Sequence, residues 1–264
     1  MSIPPILQNK DYDQPSLFEP GALIREARRQ KDLSESPVPT FCVLDPDGDL
    51  SRFLKDSGVP TNDSWACYHT EMRNLGIGDE EVGVIGCAVG ASFAVLVAEQ
   101  LFVSGCEFLL SITSAGQLAP QKRLPCFQLI DHCLRDEGTS YHYLPPSNFV
   151  SLRPDLHGLA EAIMKASPEL IRGGTWTTDA PYRETAKTTE AMATSGLLAV
   201  EMEAAALYAF AQVAQKDVLC FAHITNQMAT QGDDFEKGHN NGNTAMIELI
   251  GTVFLLTKQT KDTI

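Results

Sequence analysis

The sequence is short of positive charge. Its 20 lysines and arginines stand against 34 aspartates and glutamates, a formal net charge of −14. Phosphate backbones bind to basic footprints, so this balance argues against nucleic acid and against docking on an anionic membrane. Acidity is equally a solubility device and names no partner by itself. Long apolar runs are missing too: none approaches the ~20 residues of a membrane-spanning helix. The N-terminus, Met1-Ser2-Ile3-Pro4-Pro5, has neither the basic start nor the apolar core of a secretory signal. Paired cysteines are absent as well. The seven (Cys42, Cys67, Cys87, Cys106, Cys126, Cys133 and Cys220) stand singly, mostly inside apolar runs. An odd count without paired spacing argues against a disulfide framework or a zinc site, and predicts buried free thiols in a reducing cytoplasm. The chain also lacks a Walker loop, a glycine-rich dinucleotide fingerprint and a nucleophile elbow. Its histidines (His69, His132, His142, His157, His223, His239) form no ligand-spaced cluster, so no metal is expected.

What is present describes a globular chain: 264 residues, 44% hydrophobic and 20% charged, enough apolar surface for a sizeable core. Residues 1–37 carry five prolines around a short helical stretch near Ala22 to Gln30 and read as an arm, not a domain. From residue 38 onward, helical and extended stretches alternate without repeat or linker, which predicts one α/β domain over 38–264. Strands are expected at Val38 to Leu44, Val82 to Cys87, Glu107 to Thr113, Pro125 to His132, Ser140 to Leu144, Leu170 to Thr177 and Val218 to Thr225, with Trp65 to Met72 extended. Turns are expected at 45–49, 74–78, 114–117 and 136–139. Helices are expected from Gly90 to Gly105, from Asp155 to Ala166, from a cap at Asp179-Ala180-Pro181 through Thr194, and from about Asp234 to Lys258 with a glycine interruption. A strand–helix–strand unit at 82–113 places ligand sites at the carboxyl ends of its strands.

The most informative stretch is Val200-Glu201-Met202-Glu203-Ala204-Ala205-Ala206-Leu207. Two acids at the start of an alanine-rich helix suit its positive end. Were both helical, Glu203 would lie about 200° round from Glu201, so they cannot share one solvated face. One of them should point inward, where a carboxylate needs partners. Around it stand short turns at strand ends: Asp47-Gly48-Asp49 with Arg52, Ser114-Ala115-Gly116, Thr177-Thr178-Asp179 with Tyr182 and Arg183, and Asn226. Each also has a plain structural reading: a turn glycine at Gly48, a solvated helix residue at Arg52, a capping Ser114, an Asn226 bonding its own backbone, core aromatics at Trp176 and Tyr182.

The Val200–Leu207 stretch resembles the signature of the nucleoside phosphorylase family that contains uridine phosphorylase and the hexameric purine nucleoside phosphorylases. The resemblance runs from about Val38 to the C-terminus. Gly48-Asp49 with Arg52 is similar to the family's first phosphate loop, Gly90-Ala91-Ser92 to its second strand–helix unit, and Ser111-Ile112-Thr113-Ser114-Ala115-Gly116 to its second phosphate turn. Stretches 135–143 and 175–185 look closest to a uridine-phosphorylase-like bacterial branch.

The resemblance implies a central mixed sheet partly closed into a barrel and flanked by helices, in a homo-oligomer, dimer-based or hexameric. It implies phosphorolysis of a nucleoside to ribose 1-phosphate and free base, with inorganic phosphate as co-substrate and no other cofactor. Glu203 and Met202 would hold the ribose, and Gly48, Arg52 and Ser114 the phosphate, with Glu203 and Arg52 the catalytic pair. Gly116, Trp176, Tyr182, Arg183 and Asn226 would face the base. Where purine-cleaving members carry an aspartate, this chain has Asn226, whose amide cannot protonate a departing purine; a pyrimidine nucleoside is therefore expected. Where the family carries an arginine, this chain has Ser111, which leaves water as an alternative acceptor and a nucleoside-binding role without catalysis as a further alternative.

Overall fold

The computed structural model describes residues 3–120, 123–226 and 237–261. Its first helix is α1 (Pro20–Lys31), followed by β1 (Phe41–Asp45), α2 (Asp49–Asp56), β2 (Met72–Ile77), β3 (Glu80–Gly86), α3 (Ala91–Val103), β4 (Phe108–Gln117), β5 (Cys126–Asp136) and β6 (Phe149–Ser151). Then come α4 (His157–Ala166), β7 (Ile171–Thr178), α5 (Ala186–Thr194), β8 (Ala199–Glu201), α6 (Ala204–Ala214), β9 (Asp217–Asn226) and α7 (Asn243–Lys261). One sheet runs β2-β3-β1-β4-β8-β7-β5-β6, and β9 pairs with both β4 and β5. That double pairing closes β4, β8, β7, β5 and β9 into a five-stranded barrel with β1, β3 and β2 as an open extension. The sheet is mixed: β1 lies parallel to β3 and β4, while β8 is antiparallel to β4 and β5 antiparallel to β9. This is the single α/β domain, with a mixed sheet partly closed into a barrel and flanked by helices, that the sequence resemblance implies.

The core explains the arrangement. Strands β1, β3 and β4 carry nearly continuous apolar runs and are buried over most of their length, as strands covered on both faces are. Alanines at 204, 205, 206, 209 and 211 let α6 lie close against the barrel and α3, and every residue from Ala204 to Ala211 is buried. Tyr208 on that helix satisfies its hydroxyl in the core, donating to Ile130 O (2.5 Å) and accepting from Cys220 N (3.1 Å). The apolar α3 is buried along most of its length, with Leu96 and Val103 exposed. The N-terminal segment lies along its own chain: Ile24 and Ala27 of α1 pack with Ala66, and Lys31 Nζ donates to Cys67 O. No helix among the described residues is long and apolar enough to cross a membrane.

Several local expectations give way to longer-range contacts. The small residues Ser114 to Gln117 form no turn but continue β4, because β9 and β8 supply partners on both sides; the pairing shifts between Ala115 and Gly116. Residues 74–77 likewise lie in β2, paired with β3, and 65–71 stand outside the strands. Thr139–His142 is a short 3-10 helix rather than part of a strand, since the Glu137 carboxylate accepts Ser140 N–H (2.9 Å) and tightens the chain there. Pro181–Arg183 is a separate 3-10 turn, and α5 starts only where Thr185 accepts Thr188 N–H. The C-terminal helix begins at Asn243, after left-handed Asn240 and Asn241; residues 234–236 of the expected helix lie outside the described residues. Of the cysteines, Cys87 is exposed and Cys126 half-buried; the other five are buried, and all are free.

Candidate active site

Glu201 and Glu203 are not in a helix together. Glu201 ends β8 and Glu203 is the N-cap of α6, so the chain bends between them and both side chains turn inward, at 3% and 2% exposure. Glu201 is the structural acid. It accepts Thr177 Oγ1–H (2.5 Å) and takes the N–H groups of Glu203 and Ala204 on Oε2, both at 2.7 Å. Those are donors that a helix start leaves without partners, and Thr177 Oγ1 accepts a third, Ala205 N–H (3.1 Å).

Glu203 reaches across to two other elements. Its Oε1 accepts Gly90 N–H at the start of α3 (2.6 Å), and its Oε2 accepts Thr113 Oγ1–H from β4 (2.8 Å) and Met202 N–H (3.3 Å). Burial pushes both carboxyls above the ordinary carboxylate range, and the Glu201 charge pushes Glu203 further. Glu201, with three good donors at a helix start, is the better placed of the two to keep its charge.

One residue further along β4, Ser114 faces a different group. Its N–H donates to Asp47 Oδ2 (2.7 Å), in the loop between β1 and α2. In that loop Gly48 sits at φ +78°, where a Cβ would lie 2.5 Å from Cys87 Sγ and 2.9 Å from Arg52 Nη1, so only glycine fits. Gly48 N–H goes to Asp45, at O (2.9 Å) and Oδ1 (3.1 Å); Asp45 Oδ2 also accepts Ser51 N–H (2.9 Å). The half-exposed Arg52 donates through Nη2 to Asp47 O and Asp49 Oδ1, each at 2.8 Å. Lys237 Nζ pairs with the other oxygen of Asp49. Although burial pushes Asp49 up, Lys237 and Arg52 together hold it below its ordinary range. Cys87, at the end of β3, adopts φ +65° with its sulfur 3.8 Å from Arg52 Nη1.

Asp45 behaves oppositely. Burial raises it to about 6, against the Ser51 N–H bond and with the charges of Asp47 and Asp49 adding to the rise. Its folded pKa thus exceeds its unfolded one, so the folded state holds the proton longer and unfolding free energy falls as pH climbs between the two values. The drop should amount to about 3 kcal/mol between roughly pH 4 and pH 7 and be missing from Asp45→Asn. Urea unfolding of both proteins across that range checks it; parallel profiles contradict it.

The remaining sequence-predicted residues are spread more widely. Gly116 sits at the shift in β4, with Val200 of β8 and Asn226 of β9 as its backbone partners; the Asn226 side chain lies outside the described residues. Met202 is half-buried beside Glu203. Trp176 belongs to a small core cluster with Leu118, Leu197 and Val200, its indole N–H spent on Asp136 Oδ2 (2.9 Å). Tyr182 is fully exposed and Arg183 exposed, on the 3-10 turn that follows β7. Ser111 is buried in mid-sheet between Leu44 and Cys220, and His69 is exposed against the ring of Phe93. The structure therefore unites Glu203, Met202, Gly48, Arg52, Ser114 and Gly116 at the carboxyl ends of β1, β3 and β4, and leaves Trp176, Tyr182 and Arg183 outside that group.

Sequence reasoning gave no role to Thr113, Gly90, Asp47 or Lys237. The alternating acids of Asp45-Pro46-Asp47-Gly48-Asp49 are the one legible signal among these. A cavity of about 970 Å³ opens beside the same corner, lined by Phe127 and His223 from the barrel and by Lys237, His239 and Glu248 near the start of α7. His223 stacks on Phe127 at 4.4 Å, and burial followed by the Lys237 charge lowers its pKa to about 4, so the ring is neutral.

Residues 41–254 match the family model described as the phosphorylase superfamily. The chain belongs to that superfamily. Among solved structures, this phosphorylase-superfamily chain is similar to the uridine phosphorylase of Vibrio fischeri ES114, with TM-score 0.70 and 16% identity over 84% of this chain and 94% of that one. The AMP nucleosidase of Bacteroides thetaiotaomicron VPI-5482 gives 0.68 and 17% over 91% and 99%. The purine nucleoside phosphorylase of Toxoplasma gondii, in complex with immucillin-H, gives 0.67 and 14% over 86% and 95%. At such identities these likenesses establish the shared fold, including the closed barrel.

Proposed function

We propose that this superfamily enzyme is a nucleoside phosphorylase, cleaving the N-glycosidic bond of a pyrimidine nucleoside with inorganic phosphate to give ribose 1-phosphate and free base. The observation that carries the reading is the split at adjacent residues of β4. Thr113 Oγ1 points to Glu203, the proposed sugar acceptor, while Ser114 N–H points to the Gly48–Arg52 loop, the proposed anion corner. This arrangement supports a sugar and an attacking anion held one residue apart along β4. As the bond to the base breaks, positive charge grows on the ribose ring, and an anion on the opposite face stabilises it. Glu203 accepts the ribose 2′ and 3′ hydroxyls with Met202 against the sugar, which aligns the ring for attack. At position 226 the sequence carries an asparagine, whose amide offers no proton to a departing purine, which favours a pyrimidine base.

The test is base release from uridine, followed by absorbance with and without phosphate. Phosphate should raise the rate by about tenfold or more, a lowering of the barrier of roughly 1.4 kcal/mol at least. Equal rates would favour a second reading, hydrolysis by water. A specific contact speaks for that alternative: an Asp47 oxygen already occupies the Ser114 N–H.

A further inference from the structure

Each of the three residues assigned to phosphate has a donor engaged by the protein's own acceptors. Ser114 N–H goes to Asp47 Oδ2, Gly48 N–H to Asp45, and Arg52 Nη2 to Asp47 O and Asp49 Oδ1. These assignments rest on the functional reading above. The three acids are not equivalent. Asp45 is buried beneath the loop and caps α2 through Ser51 N–H, and Asp49 is held by two cations, Arg52 and Lys237. Asp47 is half-buried, and its Oδ2 accepts Ser114 N–H three residues beyond the last β1–β4 pair, Leu44 with Ser111. A carboxylate oxygen on a backbone N–H at 2.7 Å is a charge-assisted bond with the geometry an anionic phosphate oxygen would adopt there.

The Asp47 charge also reaches further than its one contact. It adds to the rise at Asp45 and at Glu203 and opposes the fall at His223. It therefore stands between the sugar acceptor, the anion corner and the cavity. Arg52 and Lys237 together carry two positive charges, and Asp47 and Asp49 two negative ones. With Asp45 beneath them ionising near pH 6, the corner carries no net positive charge before any anion arrives, and an incoming phosphate meets no net attraction.

We propose that Asp47 selects the acceptor: its carboxylate stands in the place of the phosphate oxygen on Ser114 N–H, and inorganic phosphate binds only by displacing it. Asp47 is a specificity-determining residue in this account, acting against phosphate rather than for it. No covalent step changes. What changes is how much phosphate the site needs, and hence the share of turnovers that end on water.

The experiment measures binding of inorganic phosphate by calorimetry, without nucleoside, to the wild-type protein, Asp47→Ala and Asp47→Asn. Thermal unfolding confirms that each variant is folded, and the near-isosteric Asn keeps the loop's shape if Ala does not. The expected result is a Kd for phosphate about tenfold or more lower in the Ala variant, with Asn shifted in the same direction, because a like charge has been removed and a donor freed. An unchanged or higher Kd in the folded variants overturns the proposal, since an Asp47 that merely braces the loop would give that result. Base release from uridine is followed in parallel. Phosphate-independent turnover in the wild type would defeat the phosphorylase reading, while tighter phosphate binding by the variants would still establish Asp47 as the group that excludes it.

Discussion

Glu203→Gln should lower kcat/KM for uridine by about 100-fold to 1,000-fold while leaving the fold intact. The substitution keeps the volume of the side chain at a position that is 2% exposed. Its amide oxygen still accepts Gly90 N–H, and its NH2 group meets Thr113 Oγ1, a hydroxyl that can turn from donor to acceptor. What disappears is the negative charge that accepts the sugar hydroxyls. Hydrogen bonds to a charged group are worth about 1.5–3 kcal/mol each and neutral ones about 0.5–1.5, so exchanging two of the first kind for the second costs roughly 3–4 kcal/mol of transition-state stabilisation. The pH profile gives an independent readout. Burial and the Glu201 charge push Glu203 upward, so the carboxylate form is lost as pH falls through that raised value. Wild-type kcat/KM should rise with pH near neutrality, and the variant should lack this limb. Steady-state kinetics over a pH series checks both; unchanged rates would remove Glu203 from the sugar site.

The second large effect is on stability. Glu201→Ala should cost about 3–5 kcal/mol of unfolding free energy, read from urea denaturation. The carboxylate is 3% exposed and accepts three hydrogen bonds, two of them from the N–H groups that open α6. Removing it leaves Thr177 Oγ1–H and two backbone donors without that partner in the core. Glu201→Gln retains one acceptor oxygen and should lose about half as much. A folded Glu201→Ala with wild-type stability would contradict the division of labour between the two acids. The two substitutions thus separate neighbours that look alike in sequence: one disables turnover, the other the fold.

That division was only half legible in the sequence. The requirement that one acid point inward follows from helical spacing, yet the premise was wrong. The alanine run begins a helix only at Ala204, and β8 claims Glu201 through its pairing with Thr177 of β7. Both acids are buried as a result. Apolar runs at 38–44, 82–87, 107–113 and 218–225 revealed strands because strands covered on both faces are apolar throughout. The pairing of β9 with both β4 and β5, which closes the barrel, involves residues scattered over about a hundred positions and leaves no local mark. Ser114 to Gln117 shows the limit from the other side: small residues favour a turn only when no neighbouring strand competes for their backbone. The bond from Ser114 N–H to Asp47 joins residues 67 positions apart. The acid-rich loop was visible in the sequence, whereas the place where its carboxylate lands was not.

The most direct test of the central claim is calorimetric binding of uridine and of 2′,3′-dideoxyuridine to the wild-type protein and to Glu203→Gln, in phosphate-free buffer so that uridine is not phosphorolysed during the titration. If Glu203 holds the ribose hydroxyls, the substitution weakens uridine binding about tenfold or more and leaves the dideoxy compound, already weak with the wild type, unchanged. Equal binding of uridine to both proteins, or an equal loss for the two nucleosides, would contradict the account.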